Sequence, residues 1–549
     1  MQTISNDRLP AWLLWAWGIL TLATLGLAPL FDYDETIYAQ TAIDMMHHGQ
    51  WVVPVANGMQ FFEKPPFTYY MMDLCFSIFG DNAFAARLPS ALFSFATALL
   101  LLHFGTRLHS RRFGFAAAAI FLSMLEVGFL AHAAILDAVL NFFIAATLLN
   151  YALWLQTTSR KHALWCAAMM GAAVSIKGPV GAVVPVLVIV IERLLSGNFG
   201  RLIKDIPWLT ALPLFLLVAI PWYVMILIDN GPEFLYEFIW VHNIGRALNP
   251  MQGHGGAWHY YIVVFAVSVL PWLAAIPWAF QKAWPLHRND DVLSVLARLA
   301  LVWTALVIVL FSFAQTKLPH YISCIYPGVA MLIAAAWLQD SPAGSRATRL
   351  VGVTAVLLLP IALLLLAFPA LYPWLQTMVH HPRAVAILAQ DIHPTHAITA
   401  FGAVLLAALA WLVRYRHSRH LLAGFVVVGM VLQFSLLVGL GTFAARIMQA
   451  PTMQIADTVR ALPANVAFYS YNLNAPSASF YAGRNYALQL DARGAAELAA
   501  AKPPYALMLR SESLPELEKQ LPWLATQTPS VDRGGYLLYV VTTARKAGS

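Results

Sequence analysis

Residues 31–40 read FDYDETIYAQ and place the carboxylates of Asp32, Asp34 and Glu35 within four consecutive positions. Only 11% of the chain is charged, so three acids in so short a stretch are unusual. The stretch directly follows residues 11–30, which are mostly apolar and long enough to cross a bilayer. The acids are therefore predicted to lie where a membrane span meets water.

The composition predicts a polytopic α-helical membrane protein. The chain has 549 residues, of which 60% are hydrophobic, and a mean hydropathy of +0.67. Long apolar runs recur from end to end, whereas a β-barrel would show short alternating segments. The net charge of +7 does not indicate nucleic-acid binding, because basic residues of membrane proteins collect in cytoplasmic loops. The lipid bilayer is the predicted partner.

About thirteen apolar segments are predicted to span the membrane. They are residues 11–30, 84–106, 113–130, 136–156, 163–176, 179–196, 207–228, 259–280, 295–314, 321–338, 350–369, 397–413 and 421–441. Six alternate loops between these segments carry fifteen Lys and Arg residues, and the remaining loops carry few. The excess of positive charge in cytoplasmic loops places the N-terminus in the cytoplasm, and thirteen spans place the C-terminus on the opposite side.

Three sizeable segments are predicted to lie on that outer side: residues 31–83, about 229–258, and the tail. The tail contains the β-prone runs ANVAFYSYN, YALQLDA, PYALMLR and YLLYVVTTA, with the helical patterns AAELAAAK and LPELEKQL between them. We therefore divide the chain into a membrane domain, residues 1–441, and a small outer α/β domain, residues 442–549.

Asp34 is the first candidate for chemistry. A carboxylate near the bilayer is costly, and is therefore a functional candidate by default. At the mouth of a membrane cavity it can act as a general base toward an acceptor group. The alternative is structural: Asp32 or Asp34 caps the following helix, and Glu35 complements its dipole.

A second candidate is Lys64, within FFEKPPFTYY. Pro65 and Pro66 stiffen the backbone that follows it. A lysine held near a membrane surface is a natural phosphate ligand. The alternative is a solvated Glu63–Lys64 pair that holds a turn.

Asp137, in HAAILDAVLNF, lies near the start of a predicted span. An acid within a membrane usually faces a cavity or a partner, and the alternative is a role at the terminus of its helix. Lys177, Arg246 and Lys317 fall on the same predicted side, the last followed by His320 and Tyr321. Cations at headgroup depth beside aromatic rings suit a lipid phosphate or pyrophosphate, although each alone could extend toward the interface.

These segments together resemble the GT-C type membrane glycosyltransferases that use polyprenyl-phosphate sugar donors. That family includes the lipid A aminoarabinose transferases and the protein O-mannosyltransferases. The resemblance covers roughly residues 30–340 and rests on DYDETIYAQTAIDMMHHGQWVVPVANGMQFFEKPPFTYY, DNAFAARLPSAL, AAILDAVLNFF, SIKGPVG and QTKLPHYISCIYP, in that order.

The resemblance implies thirteen transmembrane helices, about two amphipathic helices in the first outer loop and a small α/β outer domain. It implies that Asp34 is the catalytic carboxylate and that Asp137 is a second acid of the same cavity. We expect Asp137 to be catalytic as well, by stabilising positive charge at the anomeric carbon of the sugar. Further residues are implied to bind the donor phosphate, and they are Lys64, Tyr321, Lys177, Arg246 and Lys317. Others are implied to line the cavity or contact substrate, and they are Glu63, Glu35, Tyr69 and His320.

The implied activity is inverting transfer of a sugar from undecaprenyl phosphate to lipid A or another envelope acceptor at the periplasmic face of the bacterial inner membrane. The sugar is 4-amino-4-deoxy-L-arabinose if the closest resemblance holds. No cofactor is expected; a divalent metal near Glu63 is the alternative. Ile37 stands where the family often has Arg, and Phe61 where it often has Tyr, which leaves sugar and acceptor open. Transfer to protein Ser or Thr is the alternative within the class, and a transporter or lipid flippase is the alternative outside it.

Overall fold

The structure is a computed structural model that describes residues 10–249, 255–284 and 291–542. Helices dominate all three ranges. The first range contains α1 Trp12–Thr24, α2 Asp34–His48, α3 Phe67–Phe79, α4 Ala83–Leu108, α5 Arg111–Leu122, α6 Leu125–Ala131, α7 Asp137–Thr157, α8 Arg160–Lys177, α9 Val180–Leu195, α10 Phe199–Asp205, α11 Trp208–Ala219, α12 Pro221–Asn230, α13 Glu233–Leu235 and α14 Arg246–Leu248. The others contain α15 Tyr260–Ser268, α16 Ile276–Ala283, α17 Val292–Phe313, α18 Tyr326–Gln339, α19 Gly344–Met378, α20 Pro382–Leu388, α21 His396–Arg414, α22 Leu421–Phe434, α23 Thr442–Arg460, α24 Pro476–Ala482, α25 Asp491–Ala500 and α26 Leu514–Glu518.

The described part of the chain has 7 helices that are long and apolar enough to cross a membrane, or up to 10 when each of three bent helix pairs is one span. The chain is therefore a multi-pass membrane protein, as predicted, but the count of thirteen spans is not confirmed. Two of the predicted spans form short helices: α1 has 13 residues and α9 has 16. Residues 113–130 and 259–280 each contain a sharp break, of 70° and 108°.

Close backbone contact joins α4 to α5. A side chain at Gly105 would come within 2.7 Å of the Cα atom of Gly114, so neither position has room for a Cβ atom. Membrane helices gain little from burying apolar surface against each other, and small residues allow the close packing that replaces it. This pair therefore fixes the position of α4 in the bundle.

The first outer loop folds into two helices, α2 and α3, joined by a short hairpin of β1 Val55–Ala56 and β2 Met59–Gln60. The two helices match the number that the resemblance implies. Most of α2 is buried from Glu35 to Met45. The loop is therefore a packed layer over the end of the bundle.

The tail forms the small α/β domain predicted from the sequence. Its five-stranded sheet has the order β4-β3-β5-β7-β6. The strands are β3 Ala467–Tyr471, β4 Ala487–Gln489, β5 Tyr505–Arg510, β6 Val531–Arg533 and β7 Tyr536–Val541. β3 pairs in parallel with β4 and β5, whereas β5–β7 and β6–β7 are antiparallel. The four β-prone runs become β3, β4, β5 and β7; β6 was not predicted.

Strand β5 shows why the sheet is covered on both sides. Ala506 and Met508 pack into one cluster with Phe468, while Leu507 and Leu509 pack into another around Leu498. Successive side chains of a strand point to opposite faces, so a fully apolar strand needs two layers of cover. The end of α23 and α24 supply one layer, and α25 and α26 supply the other.

The outer domain docks directly on the first outer loop. The Asp32 carboxylate accepts hydrogen bonds from the backbone N–H of Ser477 (2.9 Å) and from the Ser477 hydroxyl. Asn485 donates to Asp44 at 3.0 Å and accepts from Gln40 at 2.9 Å. The loop and the tail therefore lie at the same end of the bundle.

The buried Arg87 of α4 joins the end of α1 to the start of α2. Its guanidinium donates to the backbone carbonyls of Leu25, Ala28 and Pro29 and makes two hydrogen bonds, of 2.8 and 2.7 Å, to the Glu35 carboxylate. The same carboxylate accepts from the backbone N–H of Ala134 at 2.8 Å. Four of these six hydrogen bonds are buried, and the bonds to Ala28 and Pro29 are partly buried.

The structure corrects the predicted roles of Asp32 and Glu35. Helix α2 begins at Asp34 without a side-chain cap, so Asp32 does not cap it; Asp32 instead accepts from the Thr36 hydroxyl at 2.5 Å and from Ser477. Glu35 lies in the first turn but is committed to Arg87. Both acids bind partners too distant in sequence for a local pattern to reveal.

We expect Glu35→Gln to lower the melting temperature of the detergent-solubilised protein strongly. It leaves the buried Arg87 guanidinium without a counterion, a loss that typically costs about 3–5 kcal/mol. The control is Asp457→Asn, which removes an exposed pair with Arg460 worth about 0–1 kcal/mol. Equal melting temperatures for the two variants, measured by fluorescence, would contradict the assigned role of Arg87–Glu35.

Candidate active site

A cavity of about 210 Å³ opens at the outer end of the bundle, below the first outer loop. Its walls come from α2, α7, α8 and α9, the segment before α3, and the segments around residues 242–246 and 311–324. Six charged side chains of Asp, Glu, Lys and Arg line it, three acids and three cations. They are Asp34, Glu63, Asp137, Lys64, Lys177 and Arg246.

Asp34 differs from the other two acids of the cavity. It is the first residue of α2 and is only partly buried, and its carboxylate has no hydrogen bond or ion pair within the described ranges 10–249, 255–284 and 291–542. The N-terminus of a helix favours negative charge. Asp34 therefore presents an unshared carboxylate to the cavity.

Glu63, in contrast, is held by cations. Its carboxylate lies 2.6 Å from a guanidinium nitrogen of Arg246 and 3.9 Å from Nζ of Lys64. Burial alone would raise the pKa of Glu63, but the charges of Lys64 and Arg246 outweigh burial and hold that pKa below its ordinary value. Glu63 is therefore an internal counterion at the rim of the cavity.

Lys64 is almost fully buried, at 7% exposure, and directly precedes Pro65 and Pro66, which stiffen the segment before α3 begins at Phe67. Its Nζ donates to the backbone carbonyl of Glu63 at 3.0 Å. Burial and the nearby charge of Arg246 lower the pKa of Lys64 to about 7, despite the opposing effect of Glu63. Lys64 therefore titrates close to neutral pH.

Asp137 begins α7 and meets Lys177, the last residue of α8, at 2.6 Å. Nε2 of His320 lies 3.9 Å from the same carboxylate. Lys177 also lies over the ring of Tyr321, 5.1 Å from its centroid. The predicted group of Asp137, Lys177, His320 and Tyr321 is therefore one contact cluster.

Most of the predicted site residues meet in this cavity. They are Asp34, Glu63, Lys64, Asp137, Lys177, Arg246, His320 and Tyr321. Their separation in sequence reaches 287 positions, from Asp34 to Tyr321. The geometry brings them together but does not itself assign their roles.

Three predicted residues do not line the cavity. Lys317 donates to the carbonyls of Ser312 and Ala314, where a cation complements the C-terminus of α17. Tyr69 is fully buried in α3 and packs 6.0 Å from the ring of Tyr38. Glu35 faces a neighbouring cavity of about 350 Å³ together with Arg87.

Other polar residues of the cavity were not predicted as site residues, notably Tyr33, Asn141, His242 and Asn243. Asn141 was detectable, because it lies four positions after Asp137 and therefore on the same face of an apolar helix. His242 and Asn243 lie in a π-helical segment, Tyr236–Gly245, which the sequence pattern did not indicate.

Metal binding near Glu63 finds little support in the geometry. Glu63 and His242 line the same cavity, but Glu63 already pairs with Arg246. Across residues 10–249, 255–284 and 291–542, no group of three or more His, Cys, Asp or Glu side chains is placed to hold a metal ion. We therefore derive no chemistry from a metal here.

One region of the chain matches a known protein family. Residues 63–225 match the family model described as dolichyl-phosphate-mannose-protein mannosyltransferase. This range begins at the cavity acid Glu63 and includes Asp137 and Lys177. Four of the eight predicted residues in the cavity lie within this range, and they are Glu63, Lys64, Asp137 and Lys177.

Curated relatives share sequence over a longer region. The undecaprenyl phosphate-alpha-4-amino-4-deoxy-L-arabinose arabinosyl transferase of Erwinia tasmaniensis is 30% identical over 374 residues, which are 67% of this chain and 65% of that protein. The transferase of the same name from Serratia proteamaculans is 32% identical over 361 residues, 62% of each chain. The chain thus matches less than two thirds of the length of either relative.

The crystal structure of ArnT from Cupriavidus metallidurans bound to undecaprenyl phosphate superposes with a TM-score of 0.79. The match covers 96% of this chain and 97% of that one, at 21% sequence identity. The chain therefore has the fold of the GT-C type membrane glycosyltransferases. Within that class it resembles the aminoarabinose transferases, and the resemblance stated from the sequence is confirmed.

Proposed function

We propose that the chain is a glycosyltransferase that moves a sugar from a polyprenyl-phosphate donor to an acceptor at the outer face of the membrane. The observation that carries the proposal is the unshared carboxylate of Asp34 in a cavity that also contains Lys64, Lys177 and Arg246. One free acid and three cations suit an acceptor oxygen on one side and a leaving phosphate on the other.

The names of the relatives support undecaprenyl phosphate as the carrier and 4-amino-4-deoxy-L-arabinose as the sugar. Lipid A or another envelope component is the acceptor in this proposal, and the bacterial inner membrane is the location. The N-terminus lies in the cytoplasm and the C-terminal domain in the periplasm. Transfer to protein Ser or Thr is the second candidate, which the mannosyltransferase family model favours.

The reaction forms one bond and breaks one. The acceptor oxygen attacks the anomeric carbon, and the bond from that carbon to the phosphate oxygen breaks with its electron pair on the phosphate. Asp34 orients the acceptor and takes its proton when the acceptor is a hydroxyl. Attack from the face opposite to the leaving group inverts the anomeric configuration.

The cations stabilise the charge that develops on the leaving phosphate. Two of the three cations are held in position before the phosphate arrives. Glu63 holds Arg246 and Asp137 holds Lys177, each at 2.6 Å. Preorganised charges of this kind cost little reorganisation during the reaction. Asp137 thus acts in this proposal by positioning Lys177.

We expect Asp34→Asn to reduce transfer by about 10²–10⁴-fold, because a general base typically contributes that much. The variant should keep the melting temperature and the affinity for undecaprenyl phosphate, since Asp34 pairs with no cation among the residues that the structure describes. Transfer is measured by mass spectrometry of the product formed by the purified protein.

The control for this experiment is Asp81→Asn, an exposed carboxylate of the same outer loop. It should retain wild-type transfer. Near-normal turnover in Asp34→Asn would remove Asp34 from the mechanism. Absence of transfer by purified wild-type protein, with donor supplied and both lipid A and Ser/Thr peptides tested as acceptors, would instead favour a transporter.

We expect donor binding to weaken about tenfold between pH 6 and pH 8. The pKa of Lys64 is lowered to about 7, so its ammonium is charged at pH 6 and largely neutral at pH 8. A sugar phosphodiester keeps one charge over this range, and its binding favours the protonated lysine. The measurement is the dissociation constant of the polyprenyl-phosphate sugar at each pH.

Lys64→Gln is the matched variant. It should bind the donor weakly at both pH values, with no remaining change between them. The pKa of nearby His242 is lowered by burial, so that side chain contributes little charge in this window. An unchanged pH dependence in Lys64→Gln would exclude Lys64 as its source.

A further inference from the structure

A polar cleft of about 340 Å³ lies outside the membrane, between the membrane domain and the outer domain. One wall consists of α20, part of α23 and residues 32–33, and the other consists of the end of β5 and the turn between β6 and β7. Ligand sites occur preferentially at such junctions between domains. The cleft is separate from the cavity that contains Lys64 and Lys177.

The walls of the cleft are fixed. The β6–β7 turn contains Gly534 and Gly535, both with positive φ, as a two-residue hairpin turn of this type requires. A side chain at Gly534 would come within 2.6 Å of Pro451 in α23, and Arg533 donates to Gln390 at 2.8 Å. The turn is therefore held against α23 of its own domain and against Gln390 of the membrane domain, and the cleft is preformed.

Four charged side chains line the cleft, and they are Asp32, Arg383, Arg510 and Glu512. Arg383 is paired with Glu512 at 2.6 Å. Arg510 is half-buried, stacks on Tyr536 at 5.3 Å from the ring centroid, and has no carboxylate within ion-pair distance in the described part of the chain. The guanidinium of Arg510 is thus oriented by an aromatic ring but not neutralised.

The cleft adjoins the candidate catalytic carboxylate. Tyr33 lines both the cleft and the cavity, and it lies between Asp32 of the cleft and Asp34 of the cavity. Consecutive Cα atoms are about 3.8 Å apart, so the two spaces are separated by a single residue. A molecule held in the cleft would therefore extend past Tyr33 to reach Asp34.

We propose that this cleft binds the anionic sugar headgroup of the acceptor, with Arg510 as the residue that recognises its phosphate or carboxylate. Guanidinium groups form paired hydrogen bonds with both anions. The hydroxyl of Ser511 also lines the cleft and suits a sugar hydroxyl. This inference rests on the proposed function, because it assigns that reaction's acceptor subsite to the outer domain.

The test is Arg510→Gln in the full-length protein, with lipid A as acceptor. Loss of a charge-assisted hydrogen bond should raise the acceptor KM by about 10–100-fold. The donor KM and kcat should stay within about twofold, because Arg510 does not line the cavity of Asp34. The control is Arg493→Gln, an exposed arginine of α25 in the same domain, which should behave as wild type.

A binding experiment separates failure of this inference from failure of the proposed function. Glucosamine 1-phosphate, glucuronate and glucosamine are titrated against wild-type protein and Arg510→Gln by ligand-observed NMR. We expect the wild type to bind one of the two anionic probes at least tenfold more tightly than glucosamine, and Arg510→Gln to lose that preference. The preferred anion identifies the headgroup.

The outcomes are distinct. An acceptor KM that Arg510→Gln leaves unchanged, with equal probe binding in both proteins, overturns the subsite. Binding of an anionic probe through Arg510 without any transfer in the wild type retains an anion site and rejects the proposed reaction. A lowered melting temperature in Arg510→Gln would indicate a structural role, and Arg510→Lys is then tested with the same three probes. If Arg510→Lys still prefers the anionic probe, the subsite is supported. If it binds all three probes equally, the subsite is overturned.

Discussion

The buried pair of Arg87 and Glu35 is the interaction on which the geometry of the site depends. Arg87 satisfies three backbone carbonyls at the end of α1, and Glu35 accepts from the backbone just before α7. Four segments therefore meet at one ion pair in a region where unpaired charge is costly. Asp34 directly precedes Glu35, and Asp137 follows Ala134 by three residues, so this pair sets the spacing of both acids.

The outer domain supplies a second constraint on the same helix. Ser477 binds Asp32 just before α2, and Asn485 binds Asp44 near the other end of that helix. The outer domain therefore holds α2 at both ends, while Arg87 of the helical bundle holds its first turn through Glu35. Each acid of the DYDE stretch consequently has a different environment. Asp32 joins two domains and Glu35 joins helices, which leaves Asp34 as the acid exposed to the cavity.

The sequence predicted the membrane class, the α/β tail and most of the residues that meet in the cavity, because apolar periodicity and rare charges are local signals. It did not predict the partners of Asp32 and Glu35, which lie 445 and 52 positions away. Lys317 is grouped with the other cations because it lies on the same predicted side of the membrane. Its partners Ser312 and Ala314 are close in sequence, but apolar periodicity does not show that the side chain turns back to the end of α17. The predicted count of thirteen spans is not confirmed, and hydropathy alone does not show where an apolar segment bends.

The balance of three acids and three cations in the cavity has a consequence for exchange. Two of the three cations are already paired when an anion enters. The anion therefore competes with Glu63 for Arg246 and with Asp137 for Lys177. When the anion leaves, the two carboxylates pair again with these cations, so Arg246 and Lys177 are not left without a counterion. In the proposed reaction, Glu63 and Asp137 therefore replace the departing phosphate as partners of the cations and lower the affinity of the cavity for small free anions.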